Sequence, residues 1–480
     1  MITKPINLII KKEIKIALRE KLILAMGVII TLLLGVALYA GYISFKQQHN
    51  IIHETQAQKR QEWLNQGDKH PHIAAHYGTF VFKPKTVLSL FDFGLDAYTG
   101  TSVYLEAHYQ HEFMFRPAQE HSSIIRFGEL SSALVLQILV PLLIIFLAFA
   151  SYTNERESGT LKLLLSQGIS FQMLTWGKVL AFCMMLFAIL LPYVIGLTIL
   201  SGMQSQQGTT PHVMLRVLLI ILFYGFYLFL FIAFSVWVSL RATNGRNALL
   251  TLITCWMFFT ILLPKTVSNF SESLYTLPSM REFKAGIEDE KTNGTDGKTP
   301  RSVRVAKLKE EYLKKYNVDS VQQLPINFEG VSMQYGEEYA NQIYDKHMQA
   351  LRSIFHKQNQ ISSITSLLNP YIAVQHLSMA LSGTDMYTFN HFEDKVESYR
   401  RELIRKMNND MAENSVYGEF YGYKAGSDLW EEIDDFSYQT PTVDKILVSY
   451  PYEITSLILW TIIVIALLNF TNKKMKPLYG

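Results

Sequence analysis

The chain has 480 residues, of which 49% are hydrophobic, 13% aromatic and only 18% charged. Because soluble domains usually carry about a quarter charged residues, this composition argues against a soluble enzyme and indicates a membrane protein with polar insertions. The net charge of +3 is too small to indicate nucleic-acid binding, and two cysteines, Cys183 and Cys255, are too few for a disulfide framework or a cysteine zinc site.

Six stretches of the chain are long and apolar enough to cross a bilayer. A spanning helix needs about 20 mainly apolar residues, so these six runs predict an all-α membrane protein. We expect the first run to be a permanent anchor, because it is too long for the apolar part of a signal peptide and no small-residue cleavage site follows it. The predicted spans are residues 22–45, 130–152, 179–200, 213–240, 247–264 and 452–470.

Lysine and arginine cluster beside these spans in a pattern that predicts their orientation. The positively charged segments lie within residues 1–21, 153–178, 241–246 and 471–480. With six spans all four segments fall on one side of the membrane, and the positive-inside rule makes that side cytoplasmic. We therefore expect a multi-pass protein of the bacterial inner membrane with both termini in the cytoplasm.

The polar remainder of the chain forms two large insertions on the other, periplasmic side. They cover residues 46–129, between spans 1 and 2, and residues 265–451, between spans 5 and 6. Helical spacing of apolar residues predicts a mainly helical external domain with few strands. Residues 294–299 resemble the end of a phosphate-binding loop, but position 292 holds threonine where that motif requires glycine. We expect no ATPase site, and no enzyme, in this chain.

A charged segment between spans 2 and 3 carries the clearest functional pattern. Residues 154–166 read Asn-Glu-Arg-Glu-Ser-Gly-Thr-Leu-Lys-Leu-Leu-Leu-Ser, a charged turn followed directly by a run of leucines. As local structure this predicts a short amphipathic helix that Ser158 or Thr160 caps, with acidic residues near its N-terminus. The leucines are then expected to lie along the membrane surface.

This segment resembles the coupling helix of the permease subunits of type-2, exporter-like ABC transporters. In that family a Glu-Arg-Glu-x-Gly-Thr segment after the second span docks into a groove of a separate ATPase subunit. The resemblance implies that ATP and magnesium bind to that partner, that the present chain binds no cofactor, and that a second permease copy or a paralogue completes the complex. The residues implied in coupling are Glu155, Arg156, Glu157, Ser158, Gly159, Thr160 and Leu161.

Further stretches extend the resemblance over much of the chain. Residues 1–21 have helical spacing of apolar side chains and look like the interfacial helix that precedes the first span in this family. One branch of the family has large outer loops that contain a domain of unknown function. Stretches similar to that branch are residues 70–78, 96–100, 105–108, 127–130, 369–370, 377–380 and 383–385.

Eight of the 13 histidines fall in the first insertion, which makes a metal site one hypothesis for this region. His72 and His76 have i, i+4 spacing, which on a helix places two ligands on one face. The alternative is a set of imidazoles that hydrogen-bond within a polar domain. Because the sequence shows no convergence of three or four ligands, we expect no bound metal. The candidate ligands are His72, His76 and His108, with Glu106 or Glu112 as a companion acid.

Polar residues within the spans are few. Arg216 is expected to extend outward from the outer end of span 4, and Gln137 in span 2 to face a cavity between two permease copies. Three functions remain open: ATP-driven export of a substrate, transmission of ATPase motion to periplasmic partners without transport, and a membrane scaffold or sensor outside the ABC class. The sequence favours neither a homodimer nor a heterodimer.

Overall fold

The computed structural model describes residues 3–112, 114, 130–204, 210, 212–419 and 421–474, with side chains from residue 5 onward. Several predicted features therefore lie outside the described residues. These are His121, which is one of the eight histidines of the first insertion, the family-like stretch at 127–129, and the end of the positively charged segment 471–480.

The described chain is mostly helical, with 77% helix and 3% strand. Its first part contains α1 (Thr3–Ala17), α2 (Lys21–Leu64), α3 (Pro71–His76), β1 (Thr79–Phe82), α4 (Val87–Phe91), α5 (Asp96–Thr99) and β2 (Ser102–Leu105). Next come α6 (Ser132–Leu134), a π-helical segment (Val135–Leu139), α7 (Val140–Ala148), α8 (Thr153–Glu157), α9 (Thr160–Ser166), α10 (Phe171–Gln204) and α11 (Val213–Arg241).

The remaining elements begin with α12 (Gly245–Met257), a second π-helical segment (Phe258–Leu262) and α13 (Leu263–Leu274). They continue with α14 (Met280–Asn293), α15 (Arg301–Tyr316), a 3₁₀ turn (Val321–Gln323), α16 (Phe328–Ser366), α17 (Pro370–Ser382) and α18 (Met386–Asn414). The last are α19 (Ser427–Glu431), α20 (Val443–Ser449) and α21 (Pro451–Lys474).

Six helices among the described residues are long and apolar enough to cross a membrane, which confirms the predicted number of spans. The second runs from α6 to α8 and the fifth from α12 to α13, each interrupted by a π-helical segment. In full, the six are Lys21–Leu64, Ser132–Glu157, Phe171–Gln204, Val213–Arg241, Gly245–Leu274 and Pro451–Lys474.

Each π-helical segment is followed by a proline that is the second residue of the next helix. Val135–Leu139 ends two residues before Pro141, and Phe258–Leu262 ends two residues before Pro264. A proline inside a helix lacks the N–H that its turn needs and clashes with the carbonyl four residues earlier. The wider π turn relieves this conflict, because it shifts the hydrogen-bond pattern of the helix at that point.

The segments between spans 1 and 2 and between spans 5 and 6 pack together, and we call the described residues 65–112, 114 and 275–450 the inserted region. Its only strands among the described residues, β1 and β2, form an antiparallel pair in which Thr79 lies opposite Leu105. The rest is helical. The prediction of a mainly helical insertion with few strands is thus confirmed as a description of its secondary structure.

One helix of the inserted region packs directly among the candidate membrane helices. The helix α17 begins at Pro370, behind Asn369, whose side chain accepts the N–H of Tyr371 at 3.0 Å and donates to the carbonyl of Phe259 at 2.8 Å. Its apolar side chains lie in the same buried cluster as those of α11 and α21, with Ile372, Val374 and Leu377 at most 2% exposed. The candidate membrane helices are therefore in direct contact with the inserted region through α17.

The four positively charged segments of the sequence also come together. Lys12 of α1 contacts Glu155 of α8, and the backbone N–H of Gly245 donates to Glu157 at 3.2 Å. At the end of the last helix, Asn472 accepts a hydrogen bond from Thr175 at 2.9 Å. These contacts agree with the charge pattern, which requires all four segments to share one side.

Candidate functional site

The segment between the second and third candidate membrane helices forms two short helices, α8 and α9, joined at Gly159. Gly159 has φ +75°, in the left-handed region that only glycine enters without a steric cost. A side chain at this position would meet no described atom within 4 Å. The backbone conformation, and not a lack of space, therefore favours glycine at the corner of this turn.

Glu155 of α8 is buried in an ion cluster within the chain. The ammonium group of Lys178 donates to Glu155 at 2.8 Å, to Glu13 at 2.7 Å and to the carbonyl of Ser151 at 2.8 Å. Lys12 contacts the same carboxylate oxygen of Glu155. Because Lys178 is fully buried and Glu13 and Glu155 are each 6% exposed, this cluster fixes α1, α8 and α10 to one another.

Arg156 and Glu157 tie the same segment to the turn that follows α11. The guanidinium group of Arg156 donates to the carbonyl of Leu240 at 2.8 Å and also to that of Ala242. The charged groups of Glu155 and Arg156 therefore bond within this chain, Glu155 being buried and Arg156 half-buried. The part that these two residues play in coupling stays a prediction.

The rest of the segment forms an exposed surface. Ser158, Gly159 and Thr160 are exposed, and the hydroxyl groups of Ser158 and Thr160 lie 2.9 Å apart. Leu161 turns inward and is 5% exposed, whereas Leu163 is 59% exposed and Lys162 is exposed beside it. We call the exposed residues 157–160 together with Lys162 and Leu163 the turn surface. A second protein can contact this part of the segment.

A second candidate site is a cluster of three imidazoles in the inserted region. The helix α3 carries His72 and His76, and His108 follows β2. One ring nitrogen from each of the three lies within 4.8 Å of the other two, and the Nε2 atoms of His72 and His76 are 3.3 Å apart. Three residues named as candidate ligands from the sequence therefore meet in space, a convergence that their spacing in the chain did not show.

A buried carboxylate holds one of these imidazoles. The Nδ1 atom of His108 contacts Oε1 of Glu337 on α16, and Glu337 is 4% exposed. Burial raises the pKa of Glu337, but the hydrogen bond and charge of His108, with Arg400 and Lys291, outweigh that effect and leave the pKa lowered. Arg400 Nη1 lies 3.7 Å from Glu337. The carboxylate is thus ionised and oriented towards His108.

The companion acids proposed from the sequence lie elsewhere. Glu106 accepts from His111 at 2.6 Å, and Glu112 pairs with Lys284 at 2.7 Å. Glu337 was missed because it is 229 residues from His108 in the chain, and no local spacing signals such a contact. Burial, followed by the neighbouring imidazoles of His108, His76 and His70, lowers the pKa of His72 to about 4, so its ring is neutral near pH 7.

Polar groups also connect the spans to the inserted region. Gln137 donates to the hydroxyl of Tyr224 at 2.8 Å, and that hydroxyl lies 2.9 Å from Ser378 on α17. Ser378 in turn donates to Asp92 at 2.5 Å. Gln137 is therefore satisfied within one chain, and the expectation that it faces a cavity between two copies is wrong.

Arg216 is also placed differently from its prediction. It is fully buried, donates to the carbonyl of Leu381 at 3.1 Å, and also donates to that of Pro441. These carbonyls lie in the inserted region, so the guanidinium joins α11 to that region and does not extend into solvent.

A family model described as a domain of unknown function, DUF3526, matches residues 281–439. No curated protein matches the chain. The matched residues lie within the insertion between the fifth and sixth candidate membrane helices and include Glu337 and Arg400 but none of the three clustered histidines. The chain is thus a mainly helical, multi-pass membrane protein with a DUF3526 region inserted before its last membrane helix.

Proposed function

We propose that this chain is the membrane-spanning permease subunit of an ABC transporter of the exporter-like class. Its turn surface would dock on a separate cytoplasmic ATPase, which binds ATP and magnesium, and a second permease copy or a paralogue would complete the complex. ATP-driven motion of the ATPase would then change the packing of the membrane helices and drive export across the inner membrane.

The observation that carries this proposal is the way the segment 153–166 is built. Its exposed turn offers Gly159, Thr160 and Leu163 to a partner, while its buried side is fixed through Glu155 and Lys178 to α1 and α10. A force on the turn surface therefore reaches the third membrane helix through a buried ion pair and not through a flexible loop. This is the property that a coupling element requires.

The charge distribution supports the orientation that this function needs. The lysine- and arginine-rich segments come together around α8 and α9, so under the positive-inside rule the turn surface would lie in the cytoplasm. Both termini would then be cytoplasmic, and the inserted region would lie in the periplasm of a bacterial cell. An ATPase in the cytoplasm could reach the turn surface in that orientation.

The test is recovery of the ATPase with detergent-purified protein carrying Lys162→Glu and Leu163→Glu. Both side chains are exposed, so folding should be unaffected. The variant loses the apolar contact of Leu163 and adds two negative charges. The affinity for the ATPase should therefore fall about tenfold or more. The matched control is Val303→Glu with Lys307→Glu on α15, where both residues are also exposed. ATPase recovery and turnover like wild type in the first variant would remove the turn surface as the coupling element.

A second candidate function is mechanical transmission to periplasmic partners without transport. It is favoured by α2, a single helix of 44 residues that joins the first span to the inserted region, and by the position of α17 among the membrane helices. Glu54→Pro breaks α2 beyond its apolar part, at a cost of about 3 kcal/mol. ATPase binding should persist, while ATP-dependent changes in amide hydrogen exchange at residues 72–76 should disappear.

The control for this variant is Glu54→Ala, which replaces the same exposed residue but keeps the helix intact. Unchanged hydrogen exchange in Glu54→Pro would argue against transmission through α2. Substrate movement into sealed vesicles containing the complex would separately identify export. Failure of any ATPase to co-purify with the wild-type chain would instead favour a membrane scaffold or sensor.

A further inference from the structure

We propose that His72, His76 and His108 bind one divalent transition-metal ion of the zinc and copper class, with one coordination position left open. The proposal concerns the inserted region and does not depend on the ABC function. It also reverses the expectation from the sequence, which was based on the apparent lack of convergence among the histidines.

The distances suit an ion with only small movements of the rings. Zinc bonds imidazole nitrogen at about 2.0–2.1 Å in a tetrahedral site, so two such ligands lie about 3.4 Å apart. The Nε2 atoms of His72 and His76 are 3.3 Å apart, and all three ligand atoms fall within 4.8 Å. The rings of His76 and His108 are on the exposed side of the cluster, where a change of ring orientation can close the remaining distance.

The backbone around the cluster is fixed by several independent contacts. His70 caps α3, because its Nδ1 accepts the N–H of His72 at 3.3 Å, and Pro71 starts the helix. This local geometry places His72 and His76 one turn apart on one face. The N–H of Ala107 donates to the carbonyl of Ala75 at 3.1 Å, which holds the segment before His108 against α3.

His108 itself has φ +70°, a left-handed conformation that is uncommon for residues other than glycine. Such conformations cost about 1–3 kcal/mol and are concentrated at functional sites, where the surrounding structure maintains them. Here the Ala107 hydrogen bond and the Glu337 contact hold the residue on both sides. The conformation directs the His108 ring towards His72 and His76, with ring centroids 5.3 and 5.1 Å away.

Glu337 supplies the partner that a metal-binding imidazole usually has. A ligating histidine commonly donates its second ring N–H to a carboxylate, which fixes the tautomer and makes the other nitrogen a better ligand. Glu337 contacts Nδ1 of His108 in this way, so Nε2 of His108 is the atom available for the ion. Because Glu337 comes from the second insertion, ion binding would also strengthen the junction of the two insertions.

The donor set defines the chemical class of the ion. Three imidazole nitrogens suit Zn²⁺ and Cu²⁺, whereas Ca²⁺ and Mg²⁺ prefer six or more oxygen ligands. Three protein ligands with a fourth position open are typical of zinc sites that bind water or a further ligand, in contrast to closed four-ligand structural sites. The partial exposure of the cluster leaves room for such a ligand.

The experiment uses the full-length protein in detergent, purified without a histidine tag, treated with chelator and then dialysed separately against ZnCl₂ and CuSO₄. Wild type should retain one ion of at least one metal per chain, and that metal should raise its Tm. His76→Gln and His108→Gln should bind about 100-fold more weakly or lose the ion, and Glu337→Gln should bind about 10–100-fold more weakly. The matched control is His356→Gln, an exposed histidine about 28 Å along α16 from Glu337.

The control should retain the ion with wild-type affinity. The proposal is overturned if wild type retains neither metal in stoichiometric amount, or if His76→Gln and His108→Gln both keep it. Equal loss in His356→Gln would also overturn it, because binding would then not depend on the cluster. The Tm of each metal-free variant shows that any loss of binding occurs in folded protein.

Discussion

The ammonium group of Lys178 lies 2.8 Å from the carboxylate of Glu155, and Lys178 has no exposed surface. The same ammonium group reaches Glu13 at 2.7 Å. Two acidic side chains from α1 and α8 therefore share one lysine from α10 in a site that water hardly reaches. Without Lys178, the half-exposed Lys12 would be the counter-charge left for these two carboxylates among the described ion pairs, so the cluster would keep an excess buried negative charge.

Lys178→Met should strongly destabilise the fold. Removal of one member of a buried ion pair costs about 3–5 kcal/mol, because the partner charges remain buried. We expect a clear fall in the Tm of purified protein and a lower yield in the membrane fraction. The control is Lys162→Met, the same change at an exposed position, which should alter stability by about 0.5 kcal/mol or less. Equal Tm values for the two variants would contradict the assigned role of Lys178.

Gly159→Val should be strained but should not clash. The left-handed region costs residues with a Cβ atom about 1–2 kcal/mol, and the space around Gly159 is open among the described residues. We expect a moderate fall in Tm and weaker ATPase recovery. Gly159→Asn should lose less of both, because asparagine tolerates this conformation better. Identical behaviour of the two variants would show that the φ of residue 159 does not matter.

The orientation of the chain can be tested with single cysteines in a background that lacks Cys183 and Cys255. Lys298 lies in the inserted region, and Thr243 lies in the turn after α11, which contacts α8 through Gly245. Both positions are exposed, and each is replaced by cysteine in turn. An impermeant thiol reagent added to spheroplasts should label the first and not the second. After membrane disruption both should react. Labelling of Thr243→Cys in intact spheroplasts would overturn the proposed orientation.

Asp92, which lies outside the six candidate membrane helices, should make stability depend on pH. Burial raises the pKa of its carboxyl to about 6, against the hydrogen bonds from Ser378 and from the N–H of Gly94. The folded pKa lies above the unfolded value of about 3.9. The contribution to stability is therefore fully present below about pH 4 and is lost as the pH rises through about 6, with a maximum of about 3 kcal/mol.

Thermal unfolding between pH 4.5 and 7.5 measures this effect. Asp92→Asn carries a neutral amide at all pH values, so its Tm should fall less than that of wild type as the pH rises. Asp319→Asn, at an exposed position, should follow wild type. If Asp92→Asn and wild type change in parallel, the carboxyl of Asp92 does not titrate in this range.

The sequence predicted features that depend on local spacing. Runs of apolar residues predicted six membrane helices, because the bilayer sets a minimum length that any single run must meet alone. The i, i+4 spacing of His72 and His76 likewise predicted two imidazoles on one face of a helix. Both inferences depend only on the order and spacing of residues along the chain, so they require no knowledge of tertiary contacts.

Features that depend on contacts between distant residues could not be predicted in the same way. In the sequence Glu155 looks like any charged residue of a surface turn, because its partners Lys12 and Lys178 lie 143 and 23 residues away. The pairing of Glu337 with His108 and the burial of Arg216 against Pro441 have the same origin. The residue type is the same whether a charged side chain is buried and paired or exposed to solvent, and only the tertiary structure distinguishes the two cases.

The length of α2 determines how far its C-terminal end would move sideways when the helix changes direction. The predicted span ends at Phe45, and the 19 residues from there to Leu64 extend about 28 Å further at 1.5 Å per residue. A change of about 10° in the direction of this extension, with the pivot at Phe45, would therefore displace Leu64 sideways by about 5 Å, close to the rise of one helical turn. Trp63 packs edge-on against Trp430, with ring centroids 5.7 Å apart, so a displacement of that size would have to carry α19 along or separate the two indole rings.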